Sequence, residues 1–187
     1  MADKSRLSLN QITTANWSVV EAVEGCARSG VPSISLWRHK IHEAGLRESA
    51  RLIRDAGLHV SSVCRGGMFP SADPAERQAK IEDNFRAVEE AAKLNADSLV
   101  LVVGASVDVP LRDARRMVED GLAALVPHAR ECGVRLGLFY PAVELAAVAI
   151  AGVSLLVHRG IPAWLDAGLG WWLMMLGGIE LPCGLLP

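Results

Sequence analysis

The sequence repeats one unit four times: an amphipathic helix, a residue that ends the helix, and a short strand rich in Val, Ile and Leu. The helix-ending residues are Gly30, Gly57, Asn95 and Gly133, and Gly and Asn suit the left-handed position just past a helix end. Strands that alternate with such helices predict βαβ units and a parallel sheet. The predicted strands are residues 7–11, 33–37, 60–64, 98–103 and 135–140.

Local signals mark where the predicted helices begin. Ser18 and Glu21 have the spacing of a capping box, and Asp73 followed by Pro74 is a side-chain cap with proline where its missing N–H does no harm. A 3.6-residue period then predicts the apolar face of each helix. These faces are Val20, Val23 and Ala27; Leu46, Ala50 and Ile53; Ile81, Phe85, Val88 and Ala92; and Leu111, Ala114, Val118, Leu122 and Leu125.

Two architectures can hold these units, a (β/α)8 barrel and an open doubly wound sheet. No G-x-G-x-x-G follows any predicted strand, and Gly66-Gly67 is too short for a dinucleotide fingerprint. We therefore predict an α/β fold of the (β/α)8 TIM-barrel type. A complete barrel typically needs about 250 residues, so a chain of 187 residues predicts an incomplete one with about five βα units.

The C-terminal part of the sequence differs in composition from the rest. Only four of the 40 charged residues lie in 139–187, and residues 145–157 contain a single polar side chain, Ser154. This predicts a βα-repeat part, 1–138, and an atypical apolar tail, 139–187. The run 145–157 is shorter than the ~20 residues that span a bilayer, which argues against a membrane role. A buried helix covering the sheet and a replaced segment, for instance after a reading-frame change, both stay open, and the abrupt change favours replacement.

Charge and cysteine content exclude several classes of function. The net charge is −2 and the basic residues are not clustered, which argues against a nucleic-acid partner. The four cysteines include no C-x-x-C pair, so neither a disulfide framework nor a thiolate zinc site is indicated. The polar N-terminus argues against a signal peptide. We expect a cytoplasmic protein.

Several segments resemble sugar phosphate isomerases/epimerases of the xylose isomerase-like barrel type. The similar segments are residues 7–14, 17–18 and 21–27, Leu36-Trp37-Arg38, residues 60–67, Asp83-Asn84 and residues 99–104. The resemblance covers about residues 7–138. It implies a barrel that binds a divalent metal (Mn, Mg or Zn) at its C-terminal mouth and transfers a proton next to a sugar carbonyl or hydroxyl.

The resemblance also predicts a departure from the family at the metal site. In the family the fifth strand typically ends in a metal-binding Glu, often within Leu-Glu-Pro-Leu-His-Pro, whereas the matching run here is 136–141 and Phe139 stands at the ligand position. Phe offers no lone pair to a hard cation. The remaining candidates, Glu144, His158, Asp166 and Glu180, are isolated. We expect no metal site and no cofactor in this chain, and the sequence identifies no catalytic residue.

Residues at the C-terminal ends of the strands are the candidates for substrate binding, because active sites of parallel barrels form there. These are Asn10, Trp37, Arg38, His39, Cys64 and Arg65, with Gln11 and Gly104 on the same rim. Arg38 and Arg65 could each hold a phosphate or carboxylate, or pair with a nearby protein carboxylate instead. Trp37 could stack on a sugar or pack at the mouth. Cys64 would be nucleophilic only if its pKa were lowered.

Three functional hypotheses follow. The first is an isomerase/epimerase-like protein that acts on a small sugar or sugar phosphate and is impaired because the metal-binding half is missing. The second is a non-catalytic α/β fragment that associates through its apolar tail, and the third is a truncated product with no function of its own. Open sheet edges and an apolar tail predict a homo-oligomer through 139–187.

Overall fold

The computed structural model of the chain describes residues 4–104 and 108–138. Within these residues it contains five strands, five α-helices and one 3-10 turn. The strands are β1 Ser8–Asn10, β2 Ser33–Trp37, β3 His59–Gly67, β4 Ser98–Val102 and β5 Arg135–Leu138. The helices are α1 Val19–Ser29, α2 Arg38–Ala44, α3 Leu46–Asp55, α4 Pro74–Lys93 and α5 Leu111–Glu131, and the 3-10 turn is Gln11–Thr14.

The strands form one sheet in the order β1-β2-β3-β4-β5, which is the order of a barrel rather than of a doubly wound sheet. β1 pairs in parallel with β2, β2 with β3, and β3 with β4. The pairing is irregular at two points, between Ile34 and Ser35 and between Cys64 and Gly66. The second irregularity lies at the C-terminal end of β3, where the chain reaches the mouth of the sheet.

The predicted helix ends are confirmed by the backbone. The helix-ending residues named from the sequence all have a positive φ, between 51° at Asn95 and 71° at Gly133. The capping box is present: the Ser18 N–H donates to Glu21 Oε2 (2.7 Å), and the Glu21 N–H donates to Ser18 Oγ (3.2 Å). Asp73 caps α4 by accepting from the Ala75 N–H.

The main core lies between the sheet and the helices. In β2, Ile34 and Leu36 are fully buried, whereas Ser35 and Trp37 on the opposite face are half-buried. Val60 and Val63 continue this buried layer in β3, as do Leu99 and Leu101 in β4. Each such side chain stabilises the fold by about 2 kcal/mol. The opposite face carries polar groups that pair across strands, as Ser35 and Ser62 do through their hydroxyls (2.6 Å).

The structure corrects two expectations about the helices. Residues 38–44 form a helix, α2, that the sequence did not predict. The predicted apolar faces were also wrong in part: Val20 and Leu111 are exposed, and mostly small residues are buried in α4 and α5 instead. In α4 the buried residues are Asn84, Ala87, Val88 and Ala91, and in α5 they are Ala114, Gly121, Leu125 and Ala129.

No helix within residues 4–104 and 108–138 is long and apolar enough to cross a membrane. The predictions that concern the tail, 139–187, lie outside the described residues. The end of the predicted fifth strand, Phe139 and Tyr140, lies outside them as well.

Candidate functional site

A cleft of about 530 Å³ opens at the C-terminal ends of β2 and β3. This volume falls in the range of pockets that hold small molecules. One wall of the cleft comes from the strand ends and the start of α2, and the other comes from α4. The first wall includes Trp37, Arg38, His39, Cys64 and Arg65, and the second includes Glu76, Lys80 and Asp83.

The cleft brings together five of the six predicted binding residues. Trp37 ends β2, Arg38 and His39 begin α2, and Cys64 and Arg65 lie near the end of β3. The sixth, Asn10, ends β1 and is joined to this group by accepting a hydrogen bond from Trp37 Nε1 at its Oδ1 (3.0 Å). The topology explains this grouping, because parallel strands deliver their C-terminal ends to one rim.

Trp37 is held at its position by the neighbouring strand. Its backbone N–H donates to Gln11 Oε1 (3.1 Å), and its indole N–H donates to Asn10. The His39 ring meets the indole edge-on, with ring centroids 5.9 Å apart. Because its N–H is already bonded, Trp37 offers the cleft an apolar ring surface, which suits the face of a sugar.

Arg38 turns its side chain away from solvent and onto α4. Its guanidinium binds Asp83 through two hydrogen bonds (2.6 and 3.0 Å) and Glu90 through two more (2.7 and 3.2 Å). The residue is 9% exposed. Since a guanidinium has five N–H donors, four protein contacts leave little for a ligand. We call this group, with His42, which also contacts Glu90 (3.0 Å), the Arg38 cluster.

The charges of the Arg38 cluster support one another. The hydrogen bonds from Arg38 lower the pKa of Asp83. Burial raises the pKa of Glu90, but the bonds from Arg38 and His42 outweigh it and the net pKa is lowered. Burial likewise disfavours the charged form of Arg38, yet its two carboxylate partners raise its pKa above the usual value. Arg38, Asp83 and Glu90 therefore stabilise one another's charged forms.

Arg65 has a different environment. It is exposed, and its Nη1 makes a long contact with Met68 Sδ (3.9 Å). The other basic group on the cleft wall, Lys80, donates to the Pro70 carbonyl oxygen (2.9 Å) and pairs with Glu76 (3.0 Å). Arg65 is thus the cleft cation best able to accept an anionic ligand.

The thiol of Cys64 is not activated. Burial raises its pKa to about 11, and the opposing effect of the Arg65 charge is smaller. At neutral pH the group is a neutral thiol on the cleft wall, so the condition that the sequence analysis set for a nucleophilic Cys64 is not met.

The end of β3 depends on a residue to which the sequence analysis gave no role. Asn84 of α4 accepts from the Gly67 N–H (2.5 Å) and donates to the Gly67 carbonyl oxygen (2.8 Å). A signal for it was present: Gly66-Gly67 lies one residue beyond a predicted strand, and a polar residue interrupts the apolar pattern of the next helix. Lys80 and Asp83 were not predicted because they lie on α4, beside the strand ends, and not at a strand end itself.

The metal implied by the family resemblance finds no ligand group in the part of the chain that the structure describes. Within residues 4–104 and 108–138, no three His, Cys, Asp or Glu side chains are placed to hold a metal ion. The sequence-based candidates, Glu144, His158, Asp166 and Glu180, lie outside these residues, as does Phe139.

Comparisons with known proteins support the barrel-type fold. The sequence model of a family described as "Xylose isomerase-like TIM barrel" matches residues 20–138. A solved protein from Sinorhizobium meliloti 1021 is 42% identical and superposes with a TM-score of 0.67, over 73% of this chain and 50% of that one. No curated protein matches the sequence significantly.

Two more distant solved structures share the fold. D-allulose 3-epimerase from Methylomonas sp. is 21% identical, with a TM-score of 0.58 over 74% of this chain and 53% of that one. The IOLI protein, solved with a zinc atom, is 17% identical, with a TM-score of 0.60 over 70% and 50%. The chain spans about half the length of these structures.

Proposed function

Because the chain belongs to the xylose isomerase-like TIM barrel family, we propose that its cleft binds a small sugar or sugar phosphate and that the chain alone does not turn this ligand over. One observation carries the binding half of the proposal: exposed Arg65 lies on the same cleft wall as Trp37 and His39. A cation beside an aromatic surface at the strand ends suits a phosphorylated sugar.

The roles follow from the environment of each residue. The sugar ring lies against the indole of Trp37, and the phosphate pairs with Arg65, with His39 as a second donor. Arg38 stays a predicted binding residue by its place on the wall, but its contacts with Asp83 and Glu90 suit a supporting role better. The Methylomonas protein is by name a ketohexose epimerase, which makes ketohexoses the first ligands to test.

The second half of the proposal, that the chain alone does not turn the ligand over, rests on the sequence and is called the silent half. Proton transfer next to a sugar carbonyl needs a base and a way to stabilise developing charge. In the family a metal-binding Glu at the end of the fifth strand contributes to the second of these, and here Phe139 stands at that position. The sequence offers no replacement in a recognisable strand end.

Calorimetric titration tests the binding half. We expect the intact chain to bind D-fructose 6-phosphate more tightly than D-fructose, and Arg65→Ala to weaken the phosphate ester by about tenfold or more while changing the neutral sugar little. Arg51→Ala, an exposed arginine on α3 outside the cleft, is the matched control. Binding of neither sugar, or equal binding by Arg65→Ala, would contradict the proposal.

Metal titration and an activity panel test the silent half. We expect no stoichiometric, micromolar site for Mn²⁺, Mg²⁺ or Zn²⁺ and no isomerase or epimerase turnover of sugars or sugar phosphates. A tight single site would overturn this half, and Glu144 and Asp166 would then be the first ligands to substitute. Turnover lost in Arg65→Ala would restore the enzyme hypothesis.

Association through 139–187 is a second candidate function. The observation that favours it is the near absence of charge in this segment, which includes Trp171-Trp172 and Met174-Met175. Apolar surface of this kind commonly ends in contacts between chains. We expect light scattering from the intact chain to show a dimer or larger assembly, and a monomer at every concentration would contradict it.

A further inference from the structure

We propose that Asn84 is a positioning residue that fixes the C-terminal end of β3 and thereby sets Arg65 toward the cleft. The inference rests on the proposed function for its effect on ligand binding, but the arrangement it describes can be measured without any ligand.

The amide of Asn84 acts as a strand partner for the end of β3. Its Oδ1 accepts from the Gly67 N–H (2.5 Å), and its Nδ2 donates both to the Gly67 carbonyl oxygen (2.8 Å) and to the Lys80 carbonyl oxygen (2.8 Å). Asn84 therefore satisfies both backbone groups of one strand residue, as a neighbouring strand would. At 2% exposure it cannot itself reach a ligand.

The strand end is shaped to accept this amide. A Cβ added to Gly66 would lie 2.7 Å from Asn84 Oδ1, and one added to Gly67, whose φ is +96°, would lie 2.0 Å from the Val102 carbonyl oxygen. The two glycines thus allow α4 and β4 to approach the same short segment. A side chain at either position would push one of these neighbours away.

Arg65 lies in the end of β3, directly before the two glycines that contact α4 and β4. Cys64 pairs with Val100 and Gly66 pairs with Leu101, so Arg65 is the extra residue of a bulge in β3. A bulge redirects a side chain out of the regular alternation of the strand. Because Asn84 holds the backbone two residues beyond Arg65, the direction of that guanidinium depends on the amide.

Asp83, the residue before Asn84 in α4, makes its contact at the end of the neighbouring strand, β2. Asp83 binds Arg38, which directly follows the last residue of β2, while Asn84 binds the end of β3. Two consecutive residues of one helix therefore hold both strand ends that form the first cleft wall. The arrangement assigns Asn84 to the Arg65 side of that wall.

Thiol labelling tests the arrangement in the intact chain. Iodoacetamide alkylation of Cys64 and Cys26, resolved by peptide mass spectrometry, compares the β3 end with a buried cysteine of α1. We expect Asn84→Ala to raise the ratio of the Cys64 rate to the Cys26 rate by about tenfold, because only the β3 end opens. Asp120→Asn is the control, since it removes the charge from the ion pair between Arg77 of α4 and Asp120 of α5 (2.8 Å) and leaves both strand ends intact. Its ratio should stay unchanged.

A second variant covers the case in which Asn84→Ala does not fold. Asn84→Asp keeps the acceptor for the Gly67 N–H but loses the donors to Gly67 and Lys80, and it should raise the same ratio by a smaller factor. An unchanged ratio in the folded variants overturns the proposal, because a purely global loss of stability would speed both cysteines equally.

Titration with D-fructose 6-phosphate separates the two proposals. If the wild-type chain binds and Asn84→Ala loses about tenfold in affinity together with the raised ratio, both stand. If the wild type binds and Asn84→Ala binds equally well, the positioning proposal is overturned and the proposed function stands. If the wild type does not bind, the proposed function fails, and the labelling ratio alone decides whether Asn84 holds the strand end.

Discussion

The ends of β2 and β3 are both fastened to α4, but by different chemistry. At β2 the contact is ionic, between Arg38 and the carboxylates of Asp83 and Glu90. At β3 it is a neutral amide, Asn84, bonded to the backbone of Gly67. The ionic contact tolerates changes of backbone shape but depends on the charges of Arg38, Asp83 and Glu90. The amide contact does not depend on charge, but it requires glycine at positions 66 and 67.

The two contacts are lost in different ways. An ionic cluster fails when one member is removed or neutralised, since the others are then left partly buried without compensation. The amide contact fails when the space between α4, β3 and β4 is altered. The predictions below disturb these two contacts separately.

The largest effect is expected from Gly67→Ala. Its Cβ would overlap the Val102 carbonyl oxygen, and its φ of +96° disfavours any L side chain. We expect a loss of about 3–4 kcal/mol in the free energy of unfolding, measured by urea denaturation. Gly57→Ala is the control, because Gly57 also has a positive φ (+65°) but nothing lies within 4 Å of its added Cβ. It should lose only about 1 kcal/mol, and equal losses would mean that the close approach of β4 does not constrain the strand end.

The next effect is expected from Arg38→Ala. Removing the arginine leaves Glu90 partly buried and Asp83 half-exposed without their cation, which costs about 3 kcal/mol of stability. If Arg38 is a supporting residue, Arg38→Lys should recover part of that stability, because an ammonium supplies the charge without the bidentate geometry. A variant that loses D-fructose 6-phosphate binding at full stability would instead make Arg38 a direct ligand contact.

Much of the fold was predictable because it follows from local rules. The residues that end helices have the required positive φ, the two caps form, and β2 has the predicted bounds. The predicted buried faces of the helices were partly wrong because the most hydrophobic residues are not always the buried ones. The structure buries small residues instead, such as Ala87 and Ala91 of α4 and Gly121 of α5. At Gly121 a larger residue would push its neighbour away, because a Cβ there would lie 2.4 Å from Phe69.

The candidate site was predictable only as a set of strand ends. The rule that parallel strands present their C-terminal ends together was enough to group Trp37, Arg65 and their neighbours. The carboxylate partners of Arg38 come from α4, up to 52 positions away in the chain in the case of Glu90. No periodicity reports such a contact, so whether an arginine faces a ligand or a carboxylate could not be decided from the sequence. The helix α2 was missed for a local reason, because Arg38–Ala44 begins without a side-chain cap.

Acid should weaken the β2 contact and spare the β3 contact. The pKa values of Asp83 and Glu90 are lower in the folded chain than their usual 3.8 and 4.5, so the unfolded chain binds more protons in this range. The stability that these carboxylates contribute is present above about pH 4.5 and is lost as the pH falls through their folded pKa values. Arg86 also contacts Asp83, and His42 also contacts Glu90.

Urea denaturation of the wild type and of Asp83→Asn/Glu90→Gln at pH 7, 5, 4 and 3 measures this loss. We expect the gap in stability between the two proteins to narrow as the pH falls, because the wild type loses what the variant already lacks. Asn84→Ala, whose missing contact does not titrate, should keep a constant gap to the wild type. A gap that is equally constant for the carboxylate variant would mean that the Arg38 cluster contributes no charge-dependent stability.

The smallest effect is expected from Arg51→Ala. Comparing it with Arg38→Ala tests whether burial is what makes the contact between β2 and α4 stabilising. Arg51 on α3 also binds two carboxylates, Glu48 (2.5 Å) and Asp55 (2.9 Å), so its contacts match those of Arg38 in number of partners and in length. The side chain of Arg51 is 51% exposed, however, and that of Arg38 is 10% exposed. Water and salt screen the exposed pairs, and alanine favours the helix, so the two effects of the substitution nearly cancel. We expect no change in melting temperature beyond measurement error, at low or high salt, next to the large loss for Arg38→Ala. Equal losses of stability in the two variants would show that the number of carboxylate partners, and not burial, determines how much the contact between β2 and α4 stabilises the fold.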